Sequence, residues 1–291
     1  LGNTNFKAGK SNILVIEADE HFASFLNYWP KIIVLTNIEK EHLDFYKNLN
    51  NINKTYKKYL SYLGQDGILV ANKEDKNISK MAKVGKHEVV FYSIKQKESK
   101  RLKKNLKIPG RHNVYNALAA ISVARILGVP DKIFFDAISQ YKGSWRRFDL
   151  KQGMAGNKKI IVISDYGHHP TEILATLRAT REKYPKKKIW CVFQPHQHQR
   201  THYLFKDFVK TFKSLAIDNI IITDIYDVAG RETKKISAEI NSEKLVEKIS
   251  KNNVRYLLLC DIEKYVKENI KNGDVLIIMG AGDIYKLVDQ F

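Results

Sequence analysis

The chain has 291 residues, of which 44% are hydrophobic and 28% charged, enough apolar material for packed cores and far from the composition of disorder. Its length suits two domains. No apolar run approaches the roughly 20 residues that a spanning helix needs, and the opening LGNTNFKAGKSN lacks the apolar stretch of a signal peptide, so a cytoplasmic location is expected.

Cys191 and Cys260 are the two cysteines, which excludes a disulfide framework and a four-cysteine zinc site. Position 1 is Leu and not Met, and the expectation is a piece of a longer chain whose first domain is missing. Fifty Lys and Arg against 31 Asp and Glu give a net charge of +19. Charge alone would suit a polyanion. The lysines, however, are spread through the chain among many Asn and Ile, as a solvated surface would have them.

In chain order, short β-branched runs predict strands over 13–16, 32–35, 68–71 and 89–92. A helix is expected over 56–63, a long Ala-rich one over 112–127 stopped by Gly128 and Pro130, and another over 131–141. A domain boundary is expected at 142–145, which divides the chain into 1–143 and 144–291. Beyond it the pattern is regular: strands over 159–163, 188–193, 219–223, 256–259 and 274–279, and helices over 171–184, 204–215, 243–250, 262–270 and from 284. Such alternation predicts an α/β fold with a parallel sheet covered on both faces.

Ligands of such folds sit beyond the carboxyl ends of the strands, which directs attention to Glu17, Thr36, Asn37, Asp165, Gln194, His196, Asp224 and Gly280. Gly9-Lys10-Ser11 ends like a phosphate-binding loop, but position 4 is Thr and a strand follows, so it reads as a turn. Gly280-Ala281-Gly282 reads as a close strand-to-helix turn, because Tyr285 interrupts the dinucleotide fingerprint. The acids of 17–20 (EADE) and 39–44 (EKEHLD) follow successive strands. They suit either a divalent cation or solvated helix starts. His42 lies among them, although a His ligand ordinarily favours zinc over magnesium.

The densest chemistry is DYGHHPTE at 165–172 and FQPHQHQRT at 193–201. Five of the nine histidines fall between His168 and His202. A zinc site is one reading. A site for an anionic substrate, with Arg200 and helix N-termini supplying positive potential, is favoured over it.

These segments, together with TNIEKEHLD at 36–44, GRHNVYNALAA at 110–120 and RRFD at 146–149, resemble the Mur ligase family, and within it the members that join L-alanine to UDP-N-acetylmuramate. The resemblance implies part of a central ATPase domain over 1–143 and a C-terminal Rossmann-like ligase domain over 144–291. The UDP-binding domain and the phosphate-binding loop would lie upstream of Leu1, and the piece would be inactive alone. It also implies ATP and Mg2+ as cofactors, with ATP activating the lactyl carboxylate as an acyl phosphate that the amine of L-alanine attacks, a step in peptidoglycan synthesis.

By the same resemblance Glu17 and His42 would hold magnesium, Asn113 and Asn116 the adenine, and Arg147 and Asp165 the nucleotide. Glu17, His42 and Asp165 would form the catalytic set. Tyr166, His168, His169, His196 and Arg200 would bind substrate, with Arg200 on the amino-acid carboxylate. Asn113 also suits a helix cap. Gln197 stands where the family commonly has Arg. Neither nucleic acid, membrane nor an obligate protein partner is expected. The alternatives are a recycling ligase that adds a whole peptide to the same sugar, a zinc-dependent hydrolase, and a basic nucleic-acid-binding protein.

Overall fold

The computed structural model describes residues 6–228 and 234–291, which form two sheets. The first is parallel, in the order β1 (Ile32–Leu35), β2 (Ile68–Asn72), β3 (Glu88–Tyr92). Period-2 alternation decides its packing: Leu69 and Ala71 face a core with Ile33, Leu35 and the helix Leu49–Leu60, while Val70 faces the helix Arg111–Ile126 on the other side. That helix begins behind Gly110, whose φ of +103° is open to glycine and closed to most side chains. Asn113 therefore lies inside the first turn, and Gly110 takes the cap position expected for Asn113.

The second sheet has six strands in the order β4 (Asp149–Ala155), β5 (Lys158–Asp165), β9 (Val275–Met279), β6 (Ile189–Phe193), β7 (Asn219–Ile222), β8 (Val254–Tyr256). Five strands run parallel, and β4 is an antiparallel edge paired with β5 from Asp149↔Ser164 to Ala155↔Lys158. Ile189, Cys191 and Phe193 enter one core with Ile173, Leu177, Phe208 and Phe212; Trp190 and Val192 enter the other with Ile262 and Val266. Helices thus cover both faces, which is why the central strands read as continuous apolar runs.

Four expectations need correction. Residues 13–16 are not a strand: Ile13, Leu14, Val15 and Ile16 are exposed, and β1 pairs only with β2. A strand is stable only with a neighbour to take its backbone groups, and none lies beside this segment among the described residues. The sheet is not wholly parallel, since 149–155 is an edge strand too polar to show as one. The apolar run at 256–259 divides, with Tyr256 ending β8 and Leu258 preceding the helix Leu259–Asn269. The helix predicted over 56–63 starts earlier, at Leu49, because the Asn48 side chain caps the amide of Asn51.

Candidate active site

Residues 141–148 join the two sheets, and this joint is held by side chains. Asp165, at the end of β5 and 5% exposed, accepts from the Phe148 amide at 2.9 Å, the Gly167 amide at 2.9 Å and the Thr176 hydroxyl at 3.2 Å. Burial pushes its carboxyl above the usual range. Arg146, 4% exposed, has left-handed φ and donates to the carbonyls of Gly280 and Gly282. Its guanidinium carbon lies 4.5 Å from the ring centre of Tyr285 and 4.9 Å from that of Tyr166. Gly280 has no room for a side chain: a Cβ there would stand 2.8 Å from the Gln194 carbonyl. The expected strand-to-helix turn at 280–282 is thus present, and its carbonyls receive Arg146.

Arg147 is half exposed, 3.3 Å from Glu172 and stacked near Tyr166. The resemblance points to Arg147 and not to Arg146, whereas the structure buries Arg146. Only a buried carbonyl partner separates them, and the sequence carries no sign of it.

Two strand-end segments then meet the first domain. His169 caps the helix Pro170–Lys183, accepting from Thr171 N, while Glu172 reaches back to the amides of His168 and His169 at 3.0 and 3.2 Å. From this position His169 Nε2 meets the Lys40 carbonyl at 3.1 Å, and the Thr171 hydroxyl donates to Glu39. His168 sits inside the turn with Nδ1 3.0 Å from the Tyr166 carbonyl, and burial, then Arg200, lowers its pKa.

After β6, the His196 ring stacks on Tyr226 at 5.5 Å, and its Nδ1 lies 3.1 Å from Arg200 Nη1. Arg200 is 8% exposed and crosses to Glu41, with Nε and Nη2 at 2.9 and 2.8 Å from a single oxygen, Oε1. Burial would raise Glu41, but Arg200 and the imidazoles of His169, His42 and His168 overcome it and hold its carboxyl down at about 2. Leu43, two residues on, packs against the cores of both domains.

The structure therefore brings together Tyr166, His168, His169, His196 and Arg200, with Arg147 nearby, against residues 39–42. Glu17 is left apart: it is exposed in a loop outside any regular element. His42, at a left-handed helix start, has Nε2 3.3 Å from Glu20 and its ring stacked on His21 at 4.3 Å. Asn113 donates to the Pro109 carbonyl at 2.7 Å, and Asn116 is exposed one turn further on. Among the described residues no group of three or more His, Cys, Asp or Glu is arranged to hold a metal. No helix is long and apolar enough to cross a membrane, again among the described residues.

Comparison with known proteins agrees with this two-part architecture. Residues 4–124 match the family described as "Mur ligase middle domain", and residues 146–282 match "Mur ligase, glutamate ligase domain". Over 99% of its length the chain is 39% identical to the UDP-N-acetylmuramate–L-alanine ligase of Clostridium acetobutylicum, and 37% identical to that of Caldanaerobacter subterraneus. It spans 66% of the length of these relatives. In fold it is similar to the UDP-N-acetylmuramate-alanine ligase of Thermotoga maritima, with a TM-score of 0.66 at 24% identity over 92% of this chain and 60% of that one. A murein peptide ligase from Psychrobacter arcticus gives 0.59 at 20% identity over 92% and 58%. With a middle-domain match ahead of the Arg146 joint, a ligase-domain match behind it and a close relative running through both, the chain belongs to the Mur ligase family.

Proposed function

We propose that the chain supplies the nucleotide-facing and amino-acid-facing parts of an ATP-dependent ligase that joins L-alanine to the lactyl carboxylate of UDP-N-acetylmuramate in peptidoglycan synthesis. The observation that carries this reading is the meeting of His169 and Arg200 with Glu39 and Glu41 across the joint between the domains. A carboxylate is a poor electrophile. Transfer of the γ-phosphoryl group of ATP makes it an acyl phosphate and releases ADP; the alanine amine attacks its carbonyl carbon, and the tetrahedral intermediate collapses to amide and phosphate. Positioning and charge neutralisation carry such a reaction.

In this scheme Arg200 takes the amino-acid carboxylate, since a planar guanidinium can grip both oxygens. Arg147, half exposed, turns from Glu172 to the nucleotide phosphates, and Asn116, free of the helix start, reads the adenine edge with Asn113 behind it. Asp165 acts through the joint, because its oxygens already hold Phe148, Gly167 and Thr176.

Magnesium would accompany the nucleotide, but Glu17 and His42 do not fit a shared site in this arrangement: they do not meet, and Glu20 stands at His42 Nε2. Mg2+ ordinarily keeps phosphate and water oxygens for most of its shell.

The test is a chimera of this chain behind the N-terminal third of the Clostridium acetobutylicum relative, assayed with UDP-N-acetylmuramate, ATP, magnesium and either L-alanine or a peptide. ADP formation coupled to a product heavier by one alanyl residue is expected. A folded chimera that ligates only the peptide would transfer the assignment to the recycling activity, and one that hydrolyses the nucleotide sugar would end it.

A further inference from the structure

The Glu41–Arg200 contact is an unusual use of an arginine. Two of its nitrogens converge on Oε1, which also accepts from the His42 amide at 3.2 Å, while Oε2 has, among the described residues, His169 Nε2 at 3.9 Å and no closer cation. The parallel two-oxygen grip that guanidinium and carboxylate favour is therefore not made. The side chains are 22% and 7% exposed, and the cavity between Glu41, His42, Gln197 and Arg200 measures about 10 Å3, space for a water molecule and not for an amino acid. A ligand must part the pair to reach Arg200.

Parting it has a cost that decides the ligand's chemistry. A simple carboxylate would satisfy Arg200 and leave Glu41 as an uncompensated charge in a poorly hydrated place; a simple amine would do the reverse. Removing one partner of a buried pair is strongly unfavourable. A molecule bearing both charges two bonds apart replaces one ion pair by two.

We propose that the Glu41–Arg200 pair is a placeholder for a zwitterionic α-amino acid, with Arg200 taking the carboxylate and Glu41 the ammonium. The inference rests on the reading of Arg200 given above and extends it by assigning the second half of the subsite to the other domain. Glu41 is then a substrate-binding residue, and the ligand becomes a bridge between the domains in place of the direct contact. Gln197 lines the same space and adds a neutral amide beside the carboxylate.

Calorimetric titration of this chain with L-alanine, glycine, propionate and L-alaninamide tests the idea without any variant: the two zwitterions should bind at least tenfold more tightly than either singly charged analogue. Glu41→Gln should weaken L-alanine at least tenfold, and Glu41→Asp should recover most of that loss, which a merely structural role for Glu41 would not produce. Backbone amide signals of His42 and Arg200 should shift together on adding L-alanine. Equal binding of glycine and L-alanine supports the pair as a zwitterion site even if the chimera fails to ligate L-alanine, so the two readings fail separately. Propionate binding as well as L-alanine, tighter L-alanine binding by Glu41→Gln, or no zwitterion binding at all would each overturn the proposal.

Discussion

Glu172 is the side chain whose removal has the most calculable consequence. Its Oε2 accepts from the amides of His168 and His169 at 3.0 and 3.2 Å, and Oε1 lies 3.3 Å from Arg147. Loss of helix-capping acceptors costs about 1 kcal/mol for each orphaned amide. The Arg147 pair adds little, because Arg147 is 50% exposed and such pairs are worth well under about 1 kcal/mol.

Glu172→Ala should therefore destabilise the second domain by about 2 kcal/mol, or about 4–8 °C in Tm for a unit of this size. Glu172→Gln keeps one acceptor oxygen, which can still take both amides, and should lose well under about 1 kcal/mol. Melting followed by circular dichroism at neutral pH, in low and high salt, is sufficient, and the loss should barely depend on salt. A Glu172→Ala melting temperature within about 1 °C of the parent would refute the capping box. A loss that vanished in high salt would show that the Arg147 pair carried it.

The pH dependence has a definite sign. His112 and His168 both titrate below their ordinary value of 6.5, chiefly because they are buried, so the unfolded chain binds protons that the folded chain does not. Their contribution to stability is complete above about pH 6.5 and is lost as pH falls toward their folded values. The melting temperature should drop as pH falls below about 6.5, and His168→Gln should flatten that drop; an unchanged slope would place the titration elsewhere. Glu41, held at about 2 against an ordinary 4.5, contributes a separate loss as pH falls from about 4.5 toward about 2. Gln197→Arg should tighten L-alanine by about fivefold, the equivalent of about 1 kcal/mol from one charge-assisted hydrogen bond; unaltered titration by calorimetry would remove position 197 from the subsite.

Much of the second domain was legible because its strands are buried on both faces and its helices carry apolar stripes, so local pattern and tertiary role coincide. Legibility ended where a neighbour decides the conformation. Residues 13–16 have the composition of a strand and lack a partner, whereas 149–155 has the composition of a loop and gains one from β5 across a turn at Gly156. The run at 256–259 is apolar throughout, and a short apolar run does not distinguish the end of a strand from the start of a helix.

The site divides along a similar line. His168, His169, His196 and Arg200 could be singled out because strand ends are where ligands sit and reactive side chains are dense there. Arg146 could not be told from Arg147, since what buries it is a carbonyl 134 residues away. Glu41 looked like one acid among several at the start of a helix, with nothing in its local pattern to mark it. Its importance comes from Arg200, 159 residues downstream, and a pairing of that separation has no periodicity to betray it. It forms because Leu43 is buried against both cores and His169 meets the Lys40 carbonyl, and these contacts carry the acid to the guanidinium beside His196. The chemistry of the cleft is thus set by packing that looks structural, which is why Leu43→Ala should loosen the domain contact and the Glu41–Arg200 pair together.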